Sequence, residues 1–235
     1  MNRDPRTPLI AMALLGTLLL GACSSGAAPA NHTTPSPEAS AESSEAARTP
    51  AAPSAEVARL LAPQDARTIS APKAAAGTLV LFTDYQCPFC AGMDSLVRQA
   101  KDDYGNELRI IIRNFPLPIH ENAPAAARAV EAAAEQGALE KMSETVFEHQ
   151  DQWSQSTSED EQFLAYARDL GLNTEKFLRD YESEAMGKRV ERDSQDAMEL
   201  GLQGTPTLIL QDTVLAVDVS NYETLSAPLD DFLNR

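Results

Sequence analysis

The chain has 235 residues, a formal net charge of −16 at pH 7 and 43% hydrophobic residues. This excess of negative charge argues against a surface for nucleic acid or anionic lipid, because both would repel the protein. We therefore expect no nucleic-acid partner. The part of the chain after residue 65 is long enough for one domain with a sizeable core.

The N-terminus is typical of an export signal. Two arginines, Arg3 and Arg6, precede the apolar stretch Leu9 to Leu20, which is too short to span a bilayer and is followed by small residues. The sequence Leu-Gly-Ala-Cys, ending at Cys23, resembles the lipobox of bacterial lipoproteins. That resemblance implies that residues 1–22 are a signal peptide and that Cys23 carries lipid, which anchors the mature protein outside the cytoplasmic membrane. The alternative is an ordinary secretory signal with a chance cysteine at its end.

Residues 23–65 are predicted to be a disordered tether. They are rich in Ala, Pro, Ser, Thr and Glu, and most of the segment has no large apolar side chain with which to offset the entropy of ordering. His32 lies in this segment as a lone histidine, which favours a solvated side chain over a metal ligand. Such a tether lets a folded domain reach partners at some distance from the membrane.

The folded part is predicted to begin with a short strand at Arg67–Ser70, followed by two buried strands with a helix between them. The apolar runs Thr78–Phe82 and Glu107–Phe115 are each typical of a buried strand. Between them, Pro88 to Tyr104 has apolar residues on one helical face and ends near a glycine. Strand, helix and strand of these lengths predict a βαβ unit with parallel strands and a right-handed crossover.

The next segment, from Glu121 to Gly201, is predicted to be almost wholly helical. Ser158 and Asn173 are expected to cap two of its helices, and Glu161 has the capping-box position after Ser158. The predicted helices are Pro124–Glu135, Ala138–His149, Glu159–Gly171, Thr174–Tyr181 and Ala185–Leu200.

The chain ends with a predicted hairpin and a helix. Gly204–Leu210 and Val214–Val217 are strand-like, and a short polar connection separates them. A last helix is expected at about Asn221–Leu233. The complete order is βαβ, a helical block, then ββα.

The stretch DYQCPFCAG places Cys87 and Cys90 three residues apart at the junction of a predicted strand and helix. In the first turn of a helix these positions share a face, so the two sulfurs come within disulfide reach. Unpaired N–H groups and the helix dipole there stabilise a thiolate at Cys87, and Pro88 suits the first turn because its missing N–H is not needed. A thiolate is the attacking species in disulfide exchange, so the spacing favours a reversible redox pair.

A structural disulfide and part of a zinc site are the two alternatives to a redox pair at these cysteines. A structural disulfide in so small a ring would stabilise the fold by only roughly 2 kcal/mol, against about 3 for a fifteen-residue loop. A zinc site requires four ligands, and apart from the pair the domain offers only His120 and His149, which are too far apart in sequence for a finger-type site. We therefore expect no metal.

With CPFC at the strand-to-helix junction and Gly-Thr-Pro-Thr opening the hairpin, the sequence resembles the DsbA-like branch of the thioredoxin superfamily from about Thr78 onwards. The resemblance implies an α/β, thioredoxin-like fold in residues 66–235 with an inserted helical domain at about residues 118–202. It also implies that Cys87 and Cys90 are catalytic and that the peptide bond between Thr205 and Pro206 is cis. The roles it implies for the remaining residues are an active-site turn at Pro88 and Phe89 and a backbone at Thr205 that pairs with substrate. A proline that starts an edge strand is the alternative for Pro206.

The resemblance implies an extracytoplasmic thiol:disulfide oxidoreductase that mainly forms disulfides in exported proteins. No cofactor is expected beyond the Cys87–Cys90 disulfide, and a quinone-linked membrane protein of the DsbB or VKOR type is implied as the reoxidant. The tether takes the place of the dimerisation domain of the disulfide isomerases, so we expect a monomer. A disulfide reductase and a non-enzymatic binding or chaperone lipoprotein are the alternatives.

Three further residues are candidates near the cysteine pair. Asp84 is a possible proton relay, although an acidic loop residue at a strand end is an equal interpretation. In DsbA an acid lies beneath the active site on the preceding strand, and the matching position here is Leu81, which puts that proton route in doubt. His120 is expected to have a structural role rather than to act at the CPFC face, and Trp153 is expected to pack in the helical block.

Overall fold

The structure is a computed structural model that describes residues 54–235. The predictions for residues 1–22, for Cys23 and for most of the tether lie outside the described residues. No helix within residues 54–235 is long and apolar enough to cross a membrane.

The described residues form both strands and helices. The strands are β1 (Arg67–Ser70), β2 (Gly77–Thr83), β3 (Leu108–Asn114), β4 (Thr207–Leu210) and β5 (Thr213–Leu215). The helices are α1 (Ala55–Leu61), α2 (Pro88–Tyr104), α3 (Ala123–Ala134), α4 (Leu139–Glu148), α5 (Gln150–Trp153), α6 (Glu159–Asp169), α7 (Thr174–Tyr181), α8 (Glu184–Glu199) and α9 (Glu223–Leu233).

The strands form one five-stranded sheet in the order β1-β3-β2-β4-β5. β2 and β3 are parallel, with Leu79 opposite Ile110, and α2 connects them, so the predicted βαβ unit is confirmed. β4 lies antiparallel to β2 and forms the predicted hairpin with β5. The central strands are apolar on both faces because helices cover both sides of the sheet.

Alternate side chains of β2 belong to two different layers of the core. Leu79 and Leu81 pack with residues of α2 and α9, whereas Val80 and Phe82 pack on the opposite face with residues of α1 and α8. This division follows from the two-residue period of a strand. It places α2, whose first turn carries the cysteine pair, directly on the sheet.

Helices α3 to α8 form a block inserted between β3 and β4. The block has its own core, in which the largest fully buried side chains are Trp153, Phe163, Phe177 and Met142. Trp153 packs edge-on against Phe163 with 5.3 Å between the ring centroids, and its indole N–H donates to the carbonyl of Val146. The predicted α/β fold with a helical insertion is therefore confirmed, and Trp153 packs in the block as expected.

The predicted end of the tether at residue 65 is wrong. Residues 55–61 form α1, capped by Ser54, and the side chains of Leu60 and Leu61 are each only 3% exposed. Val57 and Leu61 have the i, i+4 spacing of one apolar helix face, which packs on the sheet beside α8. The folded domain therefore begins before residue 66.

Smaller differences concern the ends of elements. The predicted helix Ala138–His149 ends at Glu148, and a separate short helix, α5, follows it. β5 ends at Leu215 rather than at Val217. Asn173 caps α7 as predicted, but the hydroxyl of Ser158 makes no capping bond to α6 and lies 3.4 Å from the hydroxyl of Ser156.

Candidate active site

The two cysteines lie at the start of α2, directly after the carboxyl end of β2. Cys87 is the N-cap residue and Pro88 the first residue of the helix. The carbonyl of Asp84 accepts a hydrogen bond from the Cys87 N–H, and the carbonyl of Cys87 accepts one from the Cys90 N–H, both at 3.1 Å. Both thiols are free in this structure, and the exposed fraction is 5% for Cys87 and 0% for Cys90. The first turn of α2 therefore holds two adjacent thiols of unequal access.

The surroundings also separate the acidities of the two thiols. The hydrogen bond from the Cys90 side chain, helped by the N–H groups of Cys90 and Phe89, lowers the pKa of Cys87 to about 6, against the opposing effects of burial and of the Asp84 charge. Burial, together with the same hydrogen bond to Cys87, raises the pKa of Cys90 well above its ordinary value. Near neutral pH the pair therefore consists of a thiolate at Cys87 and a protonated thiol at Cys90.

The loop that precedes β4 contacts the cysteine pair. The peptide bond between Thr205 and Pro206 is cis, as the family resemblance implies. The sulfur of Cys87 lies 3.7 Å from the carbonyl oxygen of Thr205, to which it donates when it is protonated. This approach follows from the pairing of β2 with β4, in which Phe82 lies opposite Thr207. Residues more than a hundred positions apart thus meet at one site.

Asp84 is fully buried beneath the active-site turn. One of its carboxylate oxygens accepts from the N–H of Gln86 at 2.8 Å, and the other accepts from the N–H of Leu117 at 2.7 Å. The second oxygen also lies 2.8 Å from Nδ1 of His120, whose side chain is 19% exposed. The backbone N–H of Asp84 donates to the sulfur of Cys90 at 3.5 Å. Asp84 therefore contacts the Cys90 sulfur through its backbone and the partly exposed imidazole through its carboxylate.

An apolar groove of about 360 Å³ lies beside the cysteine pair. Its apolar lining includes Phe89, Pro206, Leu215 and Val217, and Asp218 adds one carboxylate; the side chain of Phe89 is 65% exposed. Phe89 is two residues after Cys87 and Pro206 follows Thr205, so the groove begins beside the active-site turn.

A sequence model of the family described as "Thioredoxin" matches residues 65–231. The chain belongs to the thioredoxin family. Its solved structural neighbours include a thioredoxin-like oxidoreductase from Silicibacter pomeroyi, 26% identical, with a TM-score of 0.61 over 76% of this chain and 98% of that one. They also include the thiol-disulfide exchange protein alpha-DsbA2 from Wolbachia pipientis, 19% identical, with a TM-score of 0.63 over 74% of this chain and 90% of that one. The predicted membership of the thioredoxin superfamily is confirmed, and the fold shared with alpha-DsbA2 agrees with the expected DsbA-like resemblance.

The curated relatives that this thioredoxin-family chain matches include proteins named for ion transport. The Na(+)/H(+) antiporter NhaA of Herminiimonas arsenicoxydans is 37% identical over 143 residues, which are 61% of this chain and 22% of the antiporter. The chain thus matches only about a fifth of the length of that relative. The similarity concerns one part of a much longer protein.

The thioredoxin-family site contains three polar side chains that sequence reasoning missed, namely Gln86, Asn122 and Gln150. They connect the active-site turn to the helical block. No local pattern marks them, because they are amides spread over more than sixty positions and meet only in the folded chain. Cys23 lies outside the described residues, and within residues 54–235 no three His, Cys, Asp or Glu side chains are grouped to hold a metal ion.

Proposed function

We propose that this chain is a thiol:disulfide oxidoreductase that acts outside the cytoplasm and mainly donates disulfides to cysteine-containing exported proteins. One observation carries the proposal: the pKa of Cys87 is lowered to about 6 while that of its neighbour Cys90 is raised. The stabilised Cys87 thiolate favours the reduced form of the pair, and an enzyme whose reduced form is favoured is a strong oxidant. The names of the structural neighbours agree with thiol–disulfide chemistry.

In the proposed reaction, a substrate thiolate attacks the sulfur of Cys87 in the oxidised enzyme. The Cys87–Cys90 bond breaks, a mixed disulfide forms, and Cys90 leaves and takes up a proton. A second substrate thiolate then attacks the substrate sulfur of the mixed disulfide and releases Cys87 as a thiolate. Two electrons pass from the substrate dithiol to the enzyme. The lowered pKa of Cys87 favours this release, because a more acidic thiol is the better leaving group.

Substrate binding is proposed at the loop before β4 and at the apolar groove. The backbone of Thr205 lies against the Cys87 thiol and is suited to pair with an extended substrate segment. Phe89 and Pro206 offer apolar surface to the side chains next to the substrate cysteine. Pro88 and Phe89 complete the turn that presents Cys87.

Proton transfer to and from Cys90 is proposed to involve Asp84. Leu81, at the position of the DsbA acid, is fully buried and apolar, so a different carboxylate has to serve. Asp84 contacts Cys90 through its backbone N–H and contacts His120 through its side chain. His120 is the more exposed of the two residues and links the buried carboxylate to solvent. This assigns His120 a function that the sequence alone did not favour.

The proposal includes a quinone-linked membrane protein of the DsbB or VKOR type, which returns Cys87 and Cys90 to the disulfide. A monomer attached to the cytoplasmic membrane through lipid on Cys23 is part of the same proposal. Ion transport is not carried over from the antiporter relative, because the match covers only 22% of that protein.

Equilibration with glutathione buffers tests the direction of electron flow. We expect a reduction potential between about −120 and −180 mV, the range of DsbA and protein disulfide isomerase. A value near the roughly −270 mV of thioredoxin would contradict the oxidase and favour the reductase.

A Cys90→Ala variant tests whether the chain acts as an enzyme. It is expected to accumulate mixed disulfides in cells, with the double variant Cys87→Ala, Cys90→Ala as its control. Without such adducts, the proposal of an enzyme fails in favour of a binding or chaperone protein.

A further inference from the structure

The turn that carries Cys87 is held from outside by a side chain of the helical block. The amide nitrogen of Gln150, the first residue of α5, donates to the carbonyl of Tyr85 at 2.7 Å and to the carbonyl of Cys87 at 3.1 Å. A primary amide has two N–H donors, so both are used on the active-site turn. The Cys87 carbonyl is the same one that accepts from the Cys90 N–H. Gln150 therefore touches a peptide group that joins the two cysteines.

A second set of amide contacts runs parallel to the first. The side chain of Gln86 donates to the carbonyl of Ser154 at 2.7 Å and accepts from the N–H of Asn122 at 2.8 Å. The side chain of Asn122 donates in turn to the carbonyls of Trp153 at 3.1 Å and Ser156 at 2.9 Å. We call Gln86, Asn122 and Gln150 the amide clamp. It fixes the residues before α2 to the segment 150–156.

The clamp has a rigid support on the side of the helical block. α5 has only four residues, and so short a helix is not stable by itself. It is held by Trp153, which is fully buried and donates its indole N–H to the carbonyl of Val146. Because the far end of α5 is anchored in the core, the amide of Gln150 at its near end has a defined position.

The turn of Cys87 depends on such support because its own capping is incomplete. The side chain of Cys87 makes no capping hydrogen bond, and Pro88 has no N–H to offer. The groups that lower the pKa of Cys87 are the thiol and backbone N–H of Cys90 and the backbone N–H of Phe89, all in the same turn. Hydrogen bonds weaken steeply when their distance or angle changes, so a small movement of the turn would weaken all three.

We propose that Gln150 is a positioning residue of the redox centre, which acts by holding the carbonyls of Tyr85 and Cys87 so that the Cys87 sulfur meets its donors in the first turn of α2. This inference rests on the proposed function and adds that the helical block is part of the redox machinery. A purely structural contact would stabilise the fold without affecting the sulfur.

The test compares Gln150→Met, which keeps the length of the side chain but removes both donors, with Gln152→Met, an exposed residue of the same short helix. In the reduced proteins, the pH dependence of Cys87 alkylation by iodoacetamide gives the midpoint of thiolate formation. We expect Gln150→Met to move this midpoint upward by about one pH unit, a tenfold change in the thiolate equilibrium. The Gln152→Met midpoint is expected to match the wild type.

An alkylation midpoint in Gln150→Met equal to that of the wild type would overturn the proposal. This holds even if the variant unfolds at a lower urea concentration, because a lower stability alone would show only a structural contact. If the methionine variant does not fold, Gln150→Asn replaces it; this variant keeps a neutral amide but its side chain is one methylene shorter, so its donors no longer reach both carbonyls and the same upward shift is expected. The glutathione equilibrium of the wild type separates the two proposals. A potential near that of thioredoxin would contradict the oxidase and leave the alkylation comparison valid.

Discussion

Asp84 joins two loops at the carboxyl ends of β2 and β3. Its carboxylate accepts from the N–H groups of Gln86 and Leu117 and contacts the His120 ring. A buried carboxylate with these partners fixes the loops against each other, since leaving any of the buried donors unsatisfied costs about 1–3 kcal/mol. The same residue is the proposed proton acceptor of Cys90, so its structural and chemical roles have to be separated by experiment.

An Asp84→Asn variant separates them. The amide keeps one oxygen acceptor but cannot take up a proton, so we expect the closing attack by Cys90 to slow on the order of 100-fold at pH 7. Stopped-flow reaction of the reduced protein with oxidised glutathione resolves two steps, formation of the mixed disulfide at Cys87 and its resolution by Cys90. The first step serves as the internal control and is expected to change little.

His120→Gln is the matched variant, because glutamine can hydrogen-bond to Asp84 but cannot relay a proton. We expect it to slow the second step in the same direction with a smaller loss of stability. If Asp84→Asn lowers the urea midpoint but resolves the mixed disulfide at the wild-type rate, Asp84 only supports the loops.

At this scale the sequence predicted the reactive pair but not what surrounds it. Cys87, Cys90 and Pro88 follow from local spacing, because the i, i+3 relation and the helix start are properties of one short segment. The burial of Asp84 and its contact with His120 do not follow, because they depend on how two loops 36 positions apart pack together. The clamp residue Gln150 escaped prediction for the same reason.

Among the elements, α1 was the one assigned to the wrong class. Its carboxyl end is held by Arg113 of β3, a fully buried side chain that donates to the carbonyls of Leu60 and Leu61 and pairs with Asp193 and Asp196 of α8. The last carbonyls of a helix need such partners. An arginine within an apolar strand gave no sign in the sequence of which groups it would meet, so the attachment of α1 was not foreseen.

A Leu61→Ala variant tests whether α1 is part of the folded domain. Truncation of this buried side chain is expected to lower the free energy of unfolding by about 2–4 kcal/mol, as for other buried leucines. Urea unfolding measures the change, and the glutathione equilibrium is expected to stay at its wild-type value because Leu61 packs in the layer opposite α2. Glu56→Ala, on the exposed side of the same helix, is the control. An unchanged urea midpoint in Leu61→Ala would return residues 55–61 to the tether.

Most other elements could be predicted because their patterns are local. β2, α2 and β3 are marked by apolar runs and a helical face, and the structure places each within a residue of its predicted ends. The break between α4 and α5 is different, since it serves the contact of Gln150 with the active-site turn. Where tertiary contacts decide an element's end, periodicity alone is not sufficient.

For the whole molecule, the redox state of two sulfurs is coupled to global stability. Cys87 and Cys90 both belong to the core of the helical block, although they begin a helix that packs on the sheet. The negative charge of the Cys87 thiolate exists only in the reduced form, so it contributes to the stability of that form alone. The difference between the reduced and oxidised free energies of unfolding isolates this contribution, because groups whose titration does not depend on the redox state cancel.

The pKa values of the two thiols determine how the difference between the reduced and oxidised free energies of unfolding depends on pH. The pKa of Cys87 is about 6 in the folded protein and about 8.5 in an unfolded chain, so its stabilising effect is complete above pH 8.5 and is lost as the pH falls towards 6. Cys90 has a raised pKa and stays protonated in the folded state, so it opposes folding of the reduced form only above about pH 8.5. Between about pH 6 and about pH 8.5, Cys87 therefore determines how the stability of the reduced form changes with pH.

We therefore expect the stability of the reduced form relative to the oxidised form to rise as the pH increases from about 6 to about 8.5. Urea unfolding of both forms without oxygen, at pH values below 6, near 7 and near 8.5, measures the difference. Cys87→Ser in the reduced state is the control, and its stability is expected to lack this rise because serine does not ionise in the range. A constant difference between the two wild-type forms would mean that Cys87 is no more acidic in the folded protein than in the unfolded chain. The argument that the pair is an oxidant would then lose its physical basis, since a thiolate that folding does not stabilise gives the reduced form no advantage.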